Sequence, residues 1–158
     1  VTVPSLNERI AGFCGYWADY APADWKILDD VCKSDDFNDA VIDIKDIFDR
    51  HDNINGVFAA NYFTAEGFAD YIRDSGRKDI SLVNFDFPDK ISELMKDESF
   101  SVSSVLQKNY EMGYKAVEAC VNLCDGEVPE PKFVDTGILI IDHETRNTPQ
   151  VQDILSRY

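Results

Sequence analysis

Residues 56–107, GVFAANYFTAEGFADYIRDSGRKDISLVNFDFPDKISELMKDESFSVSSVLQ, alternate short apolar runs with helix-spaced segments. Gly56 to Ala60 reads as a buried strand, and Thr64 to Asp74 as a helix closed by Gly76, the residue type best suited to the left-handed turn past a helix end. Ile80 to Phe85 is a second apolar run. Pro88 behind it can open a helix bearing Ile91, Leu94 and Met95, because a first-turn residue has no N–H to lose. Phe100 to Leu106 is a third run. Strands separated by helices need crossover connections, so the sheet they build is mostly parallel.

The same rhythm extends in both directions. Downstream, a helix from about Tyr110 to Leu123 ends at Gly126, and Val128, Pro129 and Pro131 lead into a last strand from Phe133 to Ile141. The tail beyond is polar and expected at the periphery. Upstream, Trp25 to Cys32 reads as a strand, and Ser34, Asp35 and Asp36 offer N-cap chemistry to a helix carrying Val41, Ile44, Ile47 and Phe48. Ile10, Phe13, Cys14 and Trp17 give an amphipathic helix over about 7–20, ended by Pro22. The fold class is α/β, a mostly parallel five- to six-stranded sheet with helices on both faces. Residues 1–141 form one lobe and 142–158 a C-terminal tail.

Thirty acidic against fifteen basic residues give a net charge of −15, spread along the chain. That surface repels phosphate backbones, so direct nucleic-acid contact by this segment is not expected. No stretch reaches the roughly 20 apolar residues of a membrane span. Val1 is not methionine, so the natural N-terminus is expected upstream. Cys14, Cys32, Cys120 and Cys124 lack CxxC spacing, and neither His51 nor His143 lies near them, so no metal site is expected. Cys120 and Cys124, one helical turn apart, suit a packed face, and buried free thiols are expected. Free thiols suit a reducing compartment.

In an open parallel sheet, ligands gather beyond the C-terminal ends of the strands. Arg9 at the first helix, Phe37 after the Trp25–Cys32 strand, Asn61 after the Gly56–Ala60 strand, Asp86 after the Ile80–Phe85 strand and Gln107 after the Phe100–Leu106 strand all fall at that edge. Together they offer a guanidinium fork, an aromatic plate, two amides and a carboxylate, a set suited to a polyhydroxylated ring. Tyr62, Phe85 and Phe87 stand beside them as candidate pocket lining. Each also has a structural use: Asp86 as an N-cap ahead of Pro88, Arg9 in a surface ion pair, Phe37 in the core, Asn61 and Gln107 in turns. Tyr110, Trp17 and Trp25 suit the core.

The segments Arg9-Ile10-Ala11-Gly12-Phe13, Ser34 to Ala40, Gly56 to Asn61, Ile80 to Asp86, Gln107 to Gly113 and Asp135-Thr136-Gly137 resemble, in order, the landmarks of ribose-binding-like solute receptors and LacI-type regulators. The resemblance implies one lobe, the C-terminal one, of a Venus-flytrap fold that binds sugar against a second, N-terminal lobe. It also implies sugar contact by Arg9, Phe37, Asn61, Asp86 and Gln107. The tail at 142–158 would then pack on, or cross to, that other lobe. Two departures bear on the ligand. Tyr62 stands where the family usually has aspartate, narrowing the pocket, and Asn84 replaces a glycine, adding a side chain consistent with a displaced or a different ligand.

The function implied is a non-enzymatic, cofactor-free sugar-binding lobe of an exported solute receptor, read by an ABC permease or a membrane sensor kinase. The 135–137 stretch resembles exported receptors. The alternative is the effector-binding domain of a LacI-type regulator, a cytoplasmic dimer touching DNA through a separate headpiece. A phosphoreceiver is suggested by Asp86, Pro88 and Lys108, but Asp29 and Asp30 fall mid-strand, where they cannot hold magnesium for a phosphoacceptor. A hydrolase is disfavoured because G-x-S-x-G is missing and no histidine is placed as a base.

Overall fold

The computed structural model describes residues 3–28, 32, 36–128, 130 and 132–157. The chain runs α1 (Pro4–Tyr20), α2 (Phe37–Arg50), β1 (Gly56–Ala59), α3 (Tyr62–Ser75), β2 (Ser81–Phe85), α4 (Asp89–Leu94), β3 (Ser101–Gln107), α5 (Asn109–Cys124), β4 (Ile138–Ile141) and α6 (Pro149–Leu155). The sheet order is β1-β2-β3-β4. The first three strands are parallel and β4 is antiparallel to β3.

Local chemistry explains the helix ends. The Asp36 carboxylate accepts the Asp39 N–H at 3.0 Å and starts α2, and Asn61 does the same for α3 by accepting the Thr64 N–H at 2.9 Å. Gly76, at φ 64°, closes α3. The N-cap of α4 is Pro88, which makes no side-chain cap bond, so Asp86 is not the cap.

Strand alternation divides the sheet into two faces. Ala59, Leu82, Val102, Leu106 and Ile141 are buried on one face, against Ala40, Ile44, Ile47 and Phe48 of α2, Ala65, Phe68, Ala69 and Ile72 of α3, and Ile91 and Leu94 of α4. The helices α2 and α3 pack tightly at Gly67, where a Cβ would stand 2.7 Å from Ile44 Cδ1 and 3.7 Å from the Ala40 backbone carbon. On the other face Phe13 of α1 stacks on Phe58 at 4.9 Å, and Phe58 meets Phe85 edge-on at 6.1 Å. Trp17 and Trp25 continue this aromatic chain at 5.7 Å from their neighbours.

Several expectations change. The described residues form four strands, not five or six. Trp25–Leu28 pairs with no described strand, and 29–31 lie outside the described residues, as do Ser34 and Asp35. The last strand begins at Ile138 instead of Phe133, because the Asp135 carboxylate accepts the Gly137 N–H at 2.7 Å and Gly137 turns left-handed at φ 74°. Cys14, Cys120 and Cys124 are exposed, contrary to the packed thiols expected, since α1 and α5 bury none of their residues. Tyr110, on α5, is exposed for the same reason, Trp25 is exposed as well, and Val41 stands at the margin of the α2 face.

The tail is not peripheral. Val151 of α6 is 1% exposed, with Ile154 and Leu155 packed against the same core, a three-and-four spacing inside a polar stretch. The Asp142 carboxylate gathers the Glu144 N–H, the Thr145 N–H and the Thr145 hydroxyl, and Arg146 donates to the Met95 carbonyl. The Asp142 bonds fix the turn into α6, and the Arg146 bond with the packing of Val151, Ile154 and Leu155 docks the segment onto this lobe.

Candidate ligand-binding rim

The sheet register sets the rim. Ala59 lies opposite Asn84, and Phe85 opposite Val105, so β1, β2 and β3 end close to one level. Asn61 follows β1, Asp86 follows β2 and Gln107 ends β3, which puts all three at the same edge. Arg9 reaches that edge from α1: its Nη1 donates to the Ala60 carbonyl at 2.7 Å, and its guanidinium lies 4.1 Å from the Phe85 ring centroid. Phe85 is thus the platform for Arg9, an arrangement worth about 0.5–2 kcal/mol depending on desolvation. The remaining guanidinium N–H groups are left for other acceptors.

Asn61 is committed on one side. Its Oδ1 accepts both the Thr64 N–H and the Thr64 hydroxyl at 2.9 Å, while its NH2 group has no acceptor among the described residues. Asp86 has the reverse division. Its backbone is held, N–H to the Val105 carbonyl at 3.0 Å and C=O accepting from Asn84 Nδ2 at 2.7 Å, at a left-handed φ of 68°. Its half-buried carboxylate has no hydrogen-bond or ion-pair partner among the described residues.

Phe37 opens α2 and lies near the start of α4, where Lys90 Nζ stands 3.5 Å from its ring centroid while pairing with Asp70 at 2.5 Å. One face of the expected aromatic plate is therefore covered by an ammonium. Lys90 escaped the sequence reading, and only its position four residues past Asp86 pointed to it. Gln107 is half-buried and faces Ile138 across the β3–β4 pair. Tyr62, 43% exposed at the first turn of α3, meets Phe63 edge-on at 5.7 Å. Burial first, then the neighbouring Glu66 and Asp89 carboxylates, raises its hydroxyl above the ordinary tyrosine value, so it stays a proton donor. Phe87, partly buried, packs against the hydrophobic core.

Asn84 does not project into the cleft. It is fully buried on the core face beside Leu82, where Ser104 Oγ donates to its Oδ1 at 2.9 Å and its Nδ2 donates to the Phe85 and Asp86 carbonyls. The strand period carried this signal: a residue two past Leu82 shares its face. A groove of about 650 Å³ runs along α5, lined by Asn109, Tyr110, Tyr114, Val117 and Val121 and by none of these converging polar groups. No cluster of metal-ligating side chains occurs among the described residues, and none of their helices is long and apolar enough to cross a membrane.

A solute-binding protein of an ABC transporter from Agrobacterium vitis, with bound D-fucose, is 26% identical, covering 92% of this chain and 49% of its own, at a TM-score of 0.80. A carbohydrate transporter solute-binding protein from Agrobacterium radiobacter, in complex with D-arabinose, shares the fold at 23% identity, covering 94% of this chain and 50% of its own, with a TM-score of 0.81. A XylFII–LytSN complex is 26% identical over 87% of this chain and 48% of its matched chain, at a TM-score of 0.71. This chain thus spans about half the length of these structures. No curated protein matches it. Residues 1–128 match the family described as "Periplasmic binding protein domain", over the helices and parallel strands that build the rim, and the chain belongs to that family.

Proposed function

We propose that this chain is the sugar-binding lobe of a solute-binding receptor, acting by ligand-driven closure against a second lobe and performing no chemistry. The observation that carries the reading is the convergence of Arg9, Asn61, Asp86 and Gln107 on one sheet edge, with the Asp86 carboxylate unpartnered among the described residues. A carboxylate accepts from two adjacent hydroxyls, while Arg9 and the Asn61 amide donate, the complement a sugar requires. Phe37, with Lys90 on one face, contributes at the margin, and Tyr62 narrows the entrance. The solved structures described above are solute-binding proteins and a XylFII–LytSN complex. They favour a receptor read by a permease or a membrane sensor over a LacI-type regulator.

Asp86→Asn in the full-length protein is the decisive variant, because asparagine tolerates a left-handed backbone while losing the charge. Screened against D-fucose, D-arabinose and D-tagatose, it should bind at least about tenfold more weakly, as expected for a lost charged hydrogen bond of roughly 1.5–3 kcal/mol. Its unfolding temperature should stay within a few degrees of wild type. Unchanged affinity would remove Asp86 from the site.

A further inference from the structure

Asp86 is the one described non-glycine residue with a left-handed backbone, and nothing in its own side chain holds it there. That conformation is disfavoured for L-residues other than glycine, and it persists where surrounding contacts over-determine it. Here the contacts come from below the sheet. Asn84 Nδ2 donates to two successive carbonyls, those of Phe85 at 3.1 Å and Asp86 at 2.7 Å, drawing both peptide groups toward the core face. An amide can make this pair of bonds only with its nitrogen turned to the loop. In that orientation the amide oxygen is satisfied as well, by Ser104 Oγ, which donates to Asn84 Oδ1 at 2.9 Å. Asn84 and Ser104 are both 0% exposed and sit on adjacent paired strands, so neither touches a ligand at the rim. Asp86 N–H to the Val105 carbonyl closes the arrangement from the other side.

We infer that Asn84 and Ser104 are positioning residues that lock the turn after β2 left-handed and thereby hold the Asp86 carboxylate out at the rim. The inference rests on the proposed role of Asp86 for its functional consequence, though not for its conformational one. Two buried polar side chains on neighbouring strands of a hydrophobic core are costly unless satisfied, and here the Asn84 NH2 group bonds the Phe85 and Asp86 carbonyls while its oxygen accepts from Ser104.

The test uses the full-length protein and has two arms. Without ligand, the Asp86 Cα and Cβ chemical shifts and amide coupling report its backbone. Asn84→Ala should move them out of the left-handed range and speed exchange of the Asp86 amide, and Ser104→Ala should move them less in the same direction. Unchanged Asp86 signals in both variants overturn the inference. With D-fucose as probe, Asn84→Ala should weaken binding about tenfold in the wild-type background, but less than about twofold on top of Asp86→Gly, where the presented group is already gone. Equal losses in the two backgrounds indicate general destabilisation and also overturn it. If Asn84→Ala fails to fold, Ser104→Ala carries both arms, with an expected loss of about threefold that again vanishes beside Asp86→Gly. If Asp86→Asn binds like wild type, or D-fucose does not bind, the sugar-site reading fails, and the ligand-free arm still decides the positioning role.

Discussion

Arg9 joins α1 to the rim through two contacts of different chemistry, and the variants Arg9→Met and Arg9→Lys separate them. Methionine keeps the apolar stem over Phe85 but removes the donor to the Ala60 carbonyl and the cation over the ring. A hydrogen bond from a charged donor contributes about 1.5–3 kcal/mol, and a partly exposed cation–π contact about 0.5–1 kcal/mol more. Arg9 is half-buried, so solvent takes back part of both, and a net destabilisation of about 1.5–2.5 kcal/mol is expected. At about 2–4 °C per kcal/mol for a domain of this size, the unfolding temperature should fall by roughly 3–10 °C. Lysine retains the charge but has a single ammonium, which cannot stack flat on Phe85 while bonding Ala60 and a ligand at once. Arg9→Lys should therefore lose less stability than Arg9→Met, yet bind sugar nearly as poorly. Circular dichroism melts and calorimetric titrations of the full-length protein measure both quantities. If Arg9→Lys matches wild type in both, the guanidinium plane has no role and the reasoning is refuted.

Val151→Ala should cost about 1.5–2.5 kcal/mol in urea unfolding, because two buried methyl groups leave a cavity, whereas a loss under about 0.5 kcal/mol would return α6 to the periphery. Acid should also weaken the tail: the Thr145 N–H, then its hydroxyl and the Glu144 N–H, hold the Asp142 carboxyl below its ordinary value. The folded state therefore binds fewer protons than the unfolded one, and this stabilisation, complete above about pH 4, is lost as pH falls through the depressed value. Asp142→Asn keeps an acceptor but cannot titrate, so its melting temperature should fall less steeply than wild type below about pH 4; parallel curves would exclude Asp142 from acid unfolding.

What was legible in the sequence was what local chemistry decides. Asp36, Gly76 and Pro88 mark helix ends by their own hydrogen-bonding and backbone preferences, and the apolar runs at 56–60, 80–85 and 100–106 lie within a residue or two of β1, β2 and β3. The remainder depends on partners far along the chain. Trp25 to Leu28 has strand-like composition, but a strand exists only through a neighbour, and among the described residues it has none. Cys120 and Cys124 share a helix face as expected, but whether that face is covered depends on tertiary packing that spacing cannot specify. Lys90 over Phe37 is a contact between α2 and α4, more than fifty positions apart and invisible to any local pattern.

Arg9, Asn61 and Asp86 share one property that bears on how a receptor of this kind would work. Arg9 bonds Ala60 and keeps further donors, Asn61 caps α3 with its oxygen and keeps its NH2, and Asp86 is held by its backbone and keeps its carboxylate. In each case one group fixes the side chain or its loop and another remains for a ligand. Such groups lose little conformational freedom on binding, since the fold has already restricted them, and a ligand meets donors and acceptors already in place. A rim fixed in this way has little left to rearrange on contact with a sugar. In the proposed receptor the binding free energy would then be available to close one lobe on another, and lobe closure, rather than any reshaping of this sheet edge, would be the signal.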